Sequence, residues 1–79
     1  MQSFISGYDY AKEGKKCSGR RLGREKSLIS AKAKCDTNEE CACIHNEKCN
    51  GKYWDMHAGQ PTPKRWDKFC TWAKKGSFM

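Results

Sequence analysis

Period-two alternation opens the chain. Phe4, Ser6, Tyr8 and Tyr10 share one parity, so an extended segment from about Phe4 to Tyr10 sets three aromatic rings on one face, the side expected to meet a core. Gly14 and the Lys15-Lys16 pair break that pattern, and Cys17-Ser18-Gly19 reads as a turn. Arg20 to Arg24 is a short strand or loop with Leu22 inward. The period then changes. Leu28, Ala31 and Cys35 fall at i, i+3 and i+7, and Ser27 stands where its hydroxyl can accept a first-turn N–H, which predicts one helix from about Ser27 to Asp36. Lys32 and Lys34 lie late in it, where positive charge suits the helix dipole, and Asp36-Thr37-Asn38 stops it.

Alternation returns over Cys41 to His45, with both thiols on one face and Ala42 and Ile44 on the other. Asn46-Glu47-Lys48 reads as a hairpin turn and Asn50-Gly51 as a second turn. Lys52 to His57 follows as a strand that alternates Trp54 and Met56 with Tyr53 and Asp55. Residues 58–63 are expected to be a loop, because Pro61 and Pro63 cannot donate to a ladder. Lys68 to Ala73 forms the last strand, with Phe69 and Thr71 opposite Cys70 and Trp72, and Lys74 onward reads as a tail.

These elements amount to one α+β domain over residues 1–79, a small antiparallel sheet crossed by one helix. Its apolar fraction is too low to hold it by burial alone: 37% of 79 residues, cysteines included. The even count of six cysteines therefore reads as three disulfides formed in an oxidising compartment, and the expected location is secreted or extracellular. No run of apolar residues approaches a membrane span, and MQSFISGYDY lacks the pattern of a signal peptide, so the chain reads as a mature or trimmed one.

Cys35 to Cys49, CDTNEECACIHNEKC, concentrates four of the six thiols. Six cysteines allow fifteen connectivities. On one strand Cys41 and Cys43 would stand about 6.6 Å apart with parallel side chains, whereas a bridge needs Cβ atoms converging at about 3.8 Å. The expected pairs are Cys35 with Cys41 across the helix-to-strand turn, Cys43 with Cys49 across the hairpin, and Cys17 with Cys70 closing the ends of the chain. Zinc is the competing use of such thiols, with His45 or His57 beside them, but structural zinc favours C-x2-C knuckles and none is present. No C-x-x-C redox motif occurs either. No metal or cofactor is expected.

The capped helix ending in Cys35, the run Cys-Asp-Thr-Asn-Glu-Glu-Cys with a strand after it, the Asn50-Gly51 turn before an aromatic strand, and the closing Cys70-x-Trp72-x-Lys74 together resemble PAN/apple-like domains over about residues 4–75. The resemblance implies a helix lying across a small antiparallel sheet and tied to it by a helix cysteine, often with bridged termini, and a binding module for protein or carbohydrate with no chemistry of its own. The chain departs from the pattern at Ala31, where members often carry a second helix cysteine, and in having Cys43 and Cys49.

The formal charge of +7 is uneven. Residues 1–34 carry nine Lys/Arg against three acidic residues, residues 35–52 two against four, and residues 53–79 five against two. Arg20, Arg21, Arg24 and Lys26 form the densest positive run; guanidinium forks suit the oxyanions of sulfated glycans, anionic lipid heads or acidic protein surfaces, and an extracellular protein or an acidic glycan is the expected partner. A solvated basic surface explains the same residues. Nucleic acid is not the expected partner of an extracellular chain. Trp66, between the proline loop and the last strand, is the ring expected to face solvent and join the ligand site. Glu39, Glu40, Glu47, Asp55, His45 and His57 are the candidates for catalysis, but their spacing sets no nucleophile beside a base, and both histidines are expected half-exposed at strand ends. The competing functional class is a secreted cationic antimicrobial or toxin-like peptide. It needs a broad amphipathic face, and this helix has a narrow apolar side.

Overall fold

Alternation builds seven short strands and the 3.6-residue period one helix among the residues that the computed structural model describes, 7–10, 15–65 and 69–75, the side chains of 63–65 excepted. In chain order they are β1 (Tyr8–Tyr10), β2 (Lys15–Cys17), β3 (Arg21–Glu25), α1 (Leu28–Asp36), β4 (Cys43–Glu47), β5 (Trp54–His57), β6 (Pro61–Arg65) and β7 (Phe69–Lys74). Five strands form one antiparallel sheet in the order β1-β7-β4-β5-β3, and β2 pairs with β6 in a separate two-stranded ribbon. The fold is α+β and disulfide-rich, as the sequence implies. Positions 4–6 of the expected first strand lie outside the described residues.

Register divides the sheet into two faces. Ile44 stands beside Met56 on β5 and Trp72 on β7, and Trp72 stands beside Tyr10 on β1, so these side chains share one face. The helix covers it: Ala31 and Cys35 are fully buried against Tyr8, Ile44, Met56 and Trp72, with Leu28 and Leu22 packed at the margin. Its ends are closed by side chains. Ser27 accepts the Ser30 N–H at 3.0 Å, and Lys74 of β7 donates to the Cys35 carbonyl at 2.7 Å, placing a cation at the negative end of the dipole. Lys74 thus ends a strand and caps a helix rather than starting a tail.

The other face carries Cys43 and His45 of β4, Asp55 and His57 of β5, and Phe69, Thr71 and Ala73 of β7. The ribbon covers it. β2 and β3 run on from one another through residues 18–20, and β5 and β6 through 58–60. These connections are themselves paired: Gly59 N–H donates to Ser18 O at 2.9 Å, Ser18 N–H to Gln60 O at 3.0 Å, and Ala58 N–H to Arg20 O at 3.0 Å. The β2–β3 and β5–β6 arms are therefore one long ladder, folded so that its outer third lies over the back of its own sheet, where β2 packs on β7 and β4. Prolines 61 and 63 do not prevent β6, because a ribbon strand has an edge that needs no donors.

The disulfides correct the sequence expectation in two of three places. All six thiols are bridged, and Cys35 is joined to Cys41 as predicted. Cys17 pairs with Cys43, and Cys49 with Cys70, so neither the Cys17–Cys70 closure nor the Cys43–Cys49 hairpin bridge forms. The reason is where β4 begins. Cys41 precedes the strand, drawn to the helix; Cys43 faces the ribbon, and β4 continues through Asn46 to Glu47, so four strand residues, about 13 Å, carry Cys43 away from the hairpin tip. Over spans of 26, 21 and 6 residues, loop-closure entropy assigns the bridges at Cys17, Cys49 and Cys35 about 3.5, 3.3 and 2.2 kcal/mol. The expected turn at Asn46-Glu47-Lys48 also moves outward. Asn46 is buried in β4 and organises the loop beyond it, donating to Tyr53 O at 2.6 Å and accepting the Gly51 N–H at 3.0 Å.

The fold in the ladder depends on two glycines. A Cβ on Gly59 would lie 2.4 Å from Ser18 Oγ and 2.6 Å from the Ser18 carbonyl carbon and oxygen, and one on Gly19 would lie 2.6 Å from Gly59 N. Gly59→Ala is expected to destabilise the protein by about 2 kcal/mol, lowering the melting midpoint by roughly 8–16 °C in calorimetry. An unchanged midpoint would mean that the two arms do not cross in contact.

Candidate functional site

Two groups of residues can carry chemistry, and they lie on different parts of the sheet. The first, beneath the ribbon, is His45, Asp55 and His57. Antiparallel pairing of β4 with β5 sets His45 opposite Asp55, and His57 is two residues further along β5 on the same face. Their ligating atoms all lie within 4.8 Å of one another. His45 is not half-exposed at a strand end, as its sequence position suggests; it sits inside β4, 3% exposed, with the Phe69 ring edge-on at 4.9 Å. His57 does end its strand and is half-buried, its ring 4.8 Å from that of His45.

Hydrogen bonding assigns the protons. The Cys17 N–H donates to His45 Nδ1 at 3.1 Å, so the neutral ring carries its hydrogen on Nε2, which faces Asp55 Oδ2 at 3.5 Å. Burial, then the neighbouring His57, pushes the His45 pKa down to about 4, with Asp55 opposing them. Burial alone would raise the Asp55 pKa; the Arg24 guanidinium, donating at 2.7 and 3.3 Å, overcomes it and holds the carboxyl below its ordinary value. The Nδ1 of His57 meets the Gly19 carbonyl at 3.1 Å and so donates to it.

This donor set does not fit a metal ion. His45 spends one nitrogen on a backbone N–H and keeps a hydrogen on the other, both Asp55 oxygens accept from Arg24, and His57 has only Nε2 to offer. One imidazole nitrogen, beside the remaining lone pairs of a carboxylate that Arg24 already neutralises, is not a site. The trio is instead a satisfied polar layer between sheet and ribbon, completed by the Thr71 hydroxyl, which donates to the Lys15 carbonyl.

The second group is the basic run on β3, an edge of the five-stranded sheet, where charged side chains also discourage pairing with other chains. Extended geometry spreads Arg20 to Lys26 over about 20 Å, so the run is a line along an edge and not a single cluster. Arg20 is drawn to Glu40 at 3.0 Å, both exposed, and Arg24 is tied to Asp55 with its guanidinium 5.1 Å from the Tyr53 ring centre. Arg21 and Lys26 are exposed and make no ion pair among the described residues. Trp66 lies outside them. Glu39 and Glu47 are exposed.

Sequence reasoning noticed His45, His57 and Asp55 but did not bring them together. The signal available was parity: His45 matches Cys43, and Asp55 matches His57. Which strand faces which, and what covers that face, follows only from the folded ladder.

No family model, curated protein or solved structure matches the chain.

Excess zinc is expected to leave the melting midpoint where it is, because the trio offers one free imidazole nitrogen and a carboxylate already neutralised by Arg24. A rise of more than about 4 °C, equivalent to roughly 1 kcal/mol, would show that the proton assignment at His45 is wrong.

Proposed function

We propose that this chain is a secreted, non-catalytic binding module of the PAN/apple-like kind that engages an acidic glycan or an acidic face of an extracellular protein through the basic edge at β3. The observation that carries this reading is the state of the four cations. Arg20 and Arg24 are occupied by Glu40 and Asp55, whereas Arg21 and Lys26 stand exposed without an ion pair among the described residues. Charges held at an edge without internal partners are available to oxyanions. The module reading is supported by the helix lying across an antiparallel sheet and by the tie from Cys35 of that helix to Cys41. Linking Cys17 to Cys43 departs from the bridged termini that the resemblance implies. Three disulfides are compatible with an extracellular setting.

A membrane-active cationic peptide needs an apolar face turned outward. Here Leu28, Ala31 and Cys35 are turned to the sheet, and Ile29 and Tyr53, the large apolar side chains exposed among the described residues, lie on different elements. For catalysis, His45 Nδ1 and the Asp55 oxygens are already engaged, and the Thr71 hydroxyl beside them donates to the Lys15 carbonyl.

Heparin chromatography tests the edge. Replacing Arg21 and Lys26 together by Ala is expected to lower the eluting salt concentration and to reduce the slope of log affinity against log salt by roughly 2. The charge-matched pair Lys48→Ala and Lys52→Ala, in the acidic segment, should lose less. Equal losses would mean that net charge, not the β3 edge, governs retention.

A further inference from the structure

We infer that the Cys49–Cys70 bridge is a thiol-exchange site, the one bridge of the three that a dithiol opens while the protein stays folded. The inference is independent of the binding reading above. It rests on how differently the three bridges are placed. Cys17 and Cys43 are 2% and 0% exposed between ribbon and sheet, and Cys35 and Cys41 are 0% and 1% exposed between helix and sheet. Cys49 and Cys70 are both partly exposed, at the end of the sheet where β4 gives way to its loop. A thiolate has to reach a sulfur along the line of the bond it breaks, so access separates this bridge from the other two.

The backbone at Cys49 adds a second difference. Lys48 and Cys49, with φ of 70° and 52°, are the non-glycine residues in the left-handed region among the described ones. A Cβ is crowded in that conformation, and Cys49 holds it with its sulfur tied to β7. Opening the bridge removes one of the constraints that keep it so. Glu47 to Lys52 carries two lysines against one glutamate, a balance that suits an approaching thiolate.

The exchange balances with a dithiol as its co-reactant. One thiolate of the dithiol attacks a bridge sulfur, a mixed disulfide forms, the Cys49–Cys70 bond breaks, and the other cysteine leaves as a thiolate that takes up a proton. The second sulfur of the dithiol then attacks the mixed disulfide and closes into a cyclic disulfide, releasing the remaining cysteine. The dithiol has given two electrons and two protons, and the bridge has become two thiols. What the bridge holds is local. It ties the loop after β4 to β7, whereas the β4–β7 ladder from Cys43–Ala73 to Glu47–Phe69, the helix tie at Cys35–Cys41 and the ribbon tie at Cys17–Cys43 are separate from it. Asn46 still donates to the Tyr53 carbonyl and accepts the Gly51 N–H, so the loop keeps its base while Cys49 is released.

Limited reduction of the folded protein by dithiothreitol, with the released thiols capped by N-ethylmaleimide and located by peptide mapping, tests this. Cys49 and Cys70 are expected to be capped first, at least about tenfold faster than the other four cysteines, and the two-bridge species to keep its amide protection at Ile44 and Trp72. In the double variant Cys49→Ser with Cys70→Ser, the fast phase of capping should be missing. Capping of Cys17 and Cys43, or of Cys35 and Cys41, first or at an equal rate would overturn the inference. Release of all six thiols in one step, a two-bridge species without protection at Ile44 and Trp72, or a fast phase that persists in the double variant would overturn it as well. If that variant does not fold, the order of capping in the unmodified protein decides alone.

Discussion

A five-stranded sheet has two faces, and among the described residues there is one helix to cover them. Leaving the second face to solvent would expose Phe69, Ala73 and Cys43 and give up burial that a domain of this size needs. The solution is to fold one ladder over its own sheet. The arms that form β3 and β5 at the sheet edge continue past a crossing at Gly19 and Gly59 and return as β2 and β6 across the back. Most of what is particular to the protein follows from that crossing: where Cys17 ends up, why it meets Cys43, and why polar side chains are found in the interior.

Of β2, Cys17 enters the layer under the ribbon, and that layer is filled differently from the helix side. Against the helix the contacts are aromatic and aliphatic, Tyr8, Ile44, Met56 and Trp72. Under the ribbon they are a disulfide, two imidazoles, a carboxylate, a hydroxyl and the Phe69 ring. Buried polar groups are tolerated when each finds its partner. Here they do: Cys17 N–H meets His45, Asp55 meets Arg24, and Thr71 meets the Lys15 carbonyl. The same satisfaction that stabilises the layer removes the trio from metal binding, and it makes His45 a group whose charge the fold resists.

The parts legible in the sequence were those set by local chemistry. Ser27 caps the helix, Leu28, Ala31 and Cys35 line its inner side, and Cys35 reaches Cys41 because the turn between them is short. Leu22 points inward and Arg21 and Lys26 outward, as their types suggest. What escaped was set by contacts between distant segments. Prolines 61 and 63 argue for a loop until a lone partner strand supplies an edge. The thiols of Cys41 and Cys43 look equivalent until the start of β4 sends one to the helix and the other to the ribbon. His45 and Asp55 are ten positions apart, and only the β4–β5 register makes them neighbours.

Mapping the bridges tests whether the ladder folds back and is fixed there. Because Ala42 alone separates Cys41 from Cys43, digestion under non-reducing conditions must be joined to fragmentation that cleaves between those two residues. Cys17 should be found linked to Cys43 and Cys49 to Cys70, with Cys35 held by Cys41. Finding Cys17 linked to Cys70 would contradict it, since Cys70 shares the sheet face of Asn46 and Trp72, opposite to the one the ribbon covers.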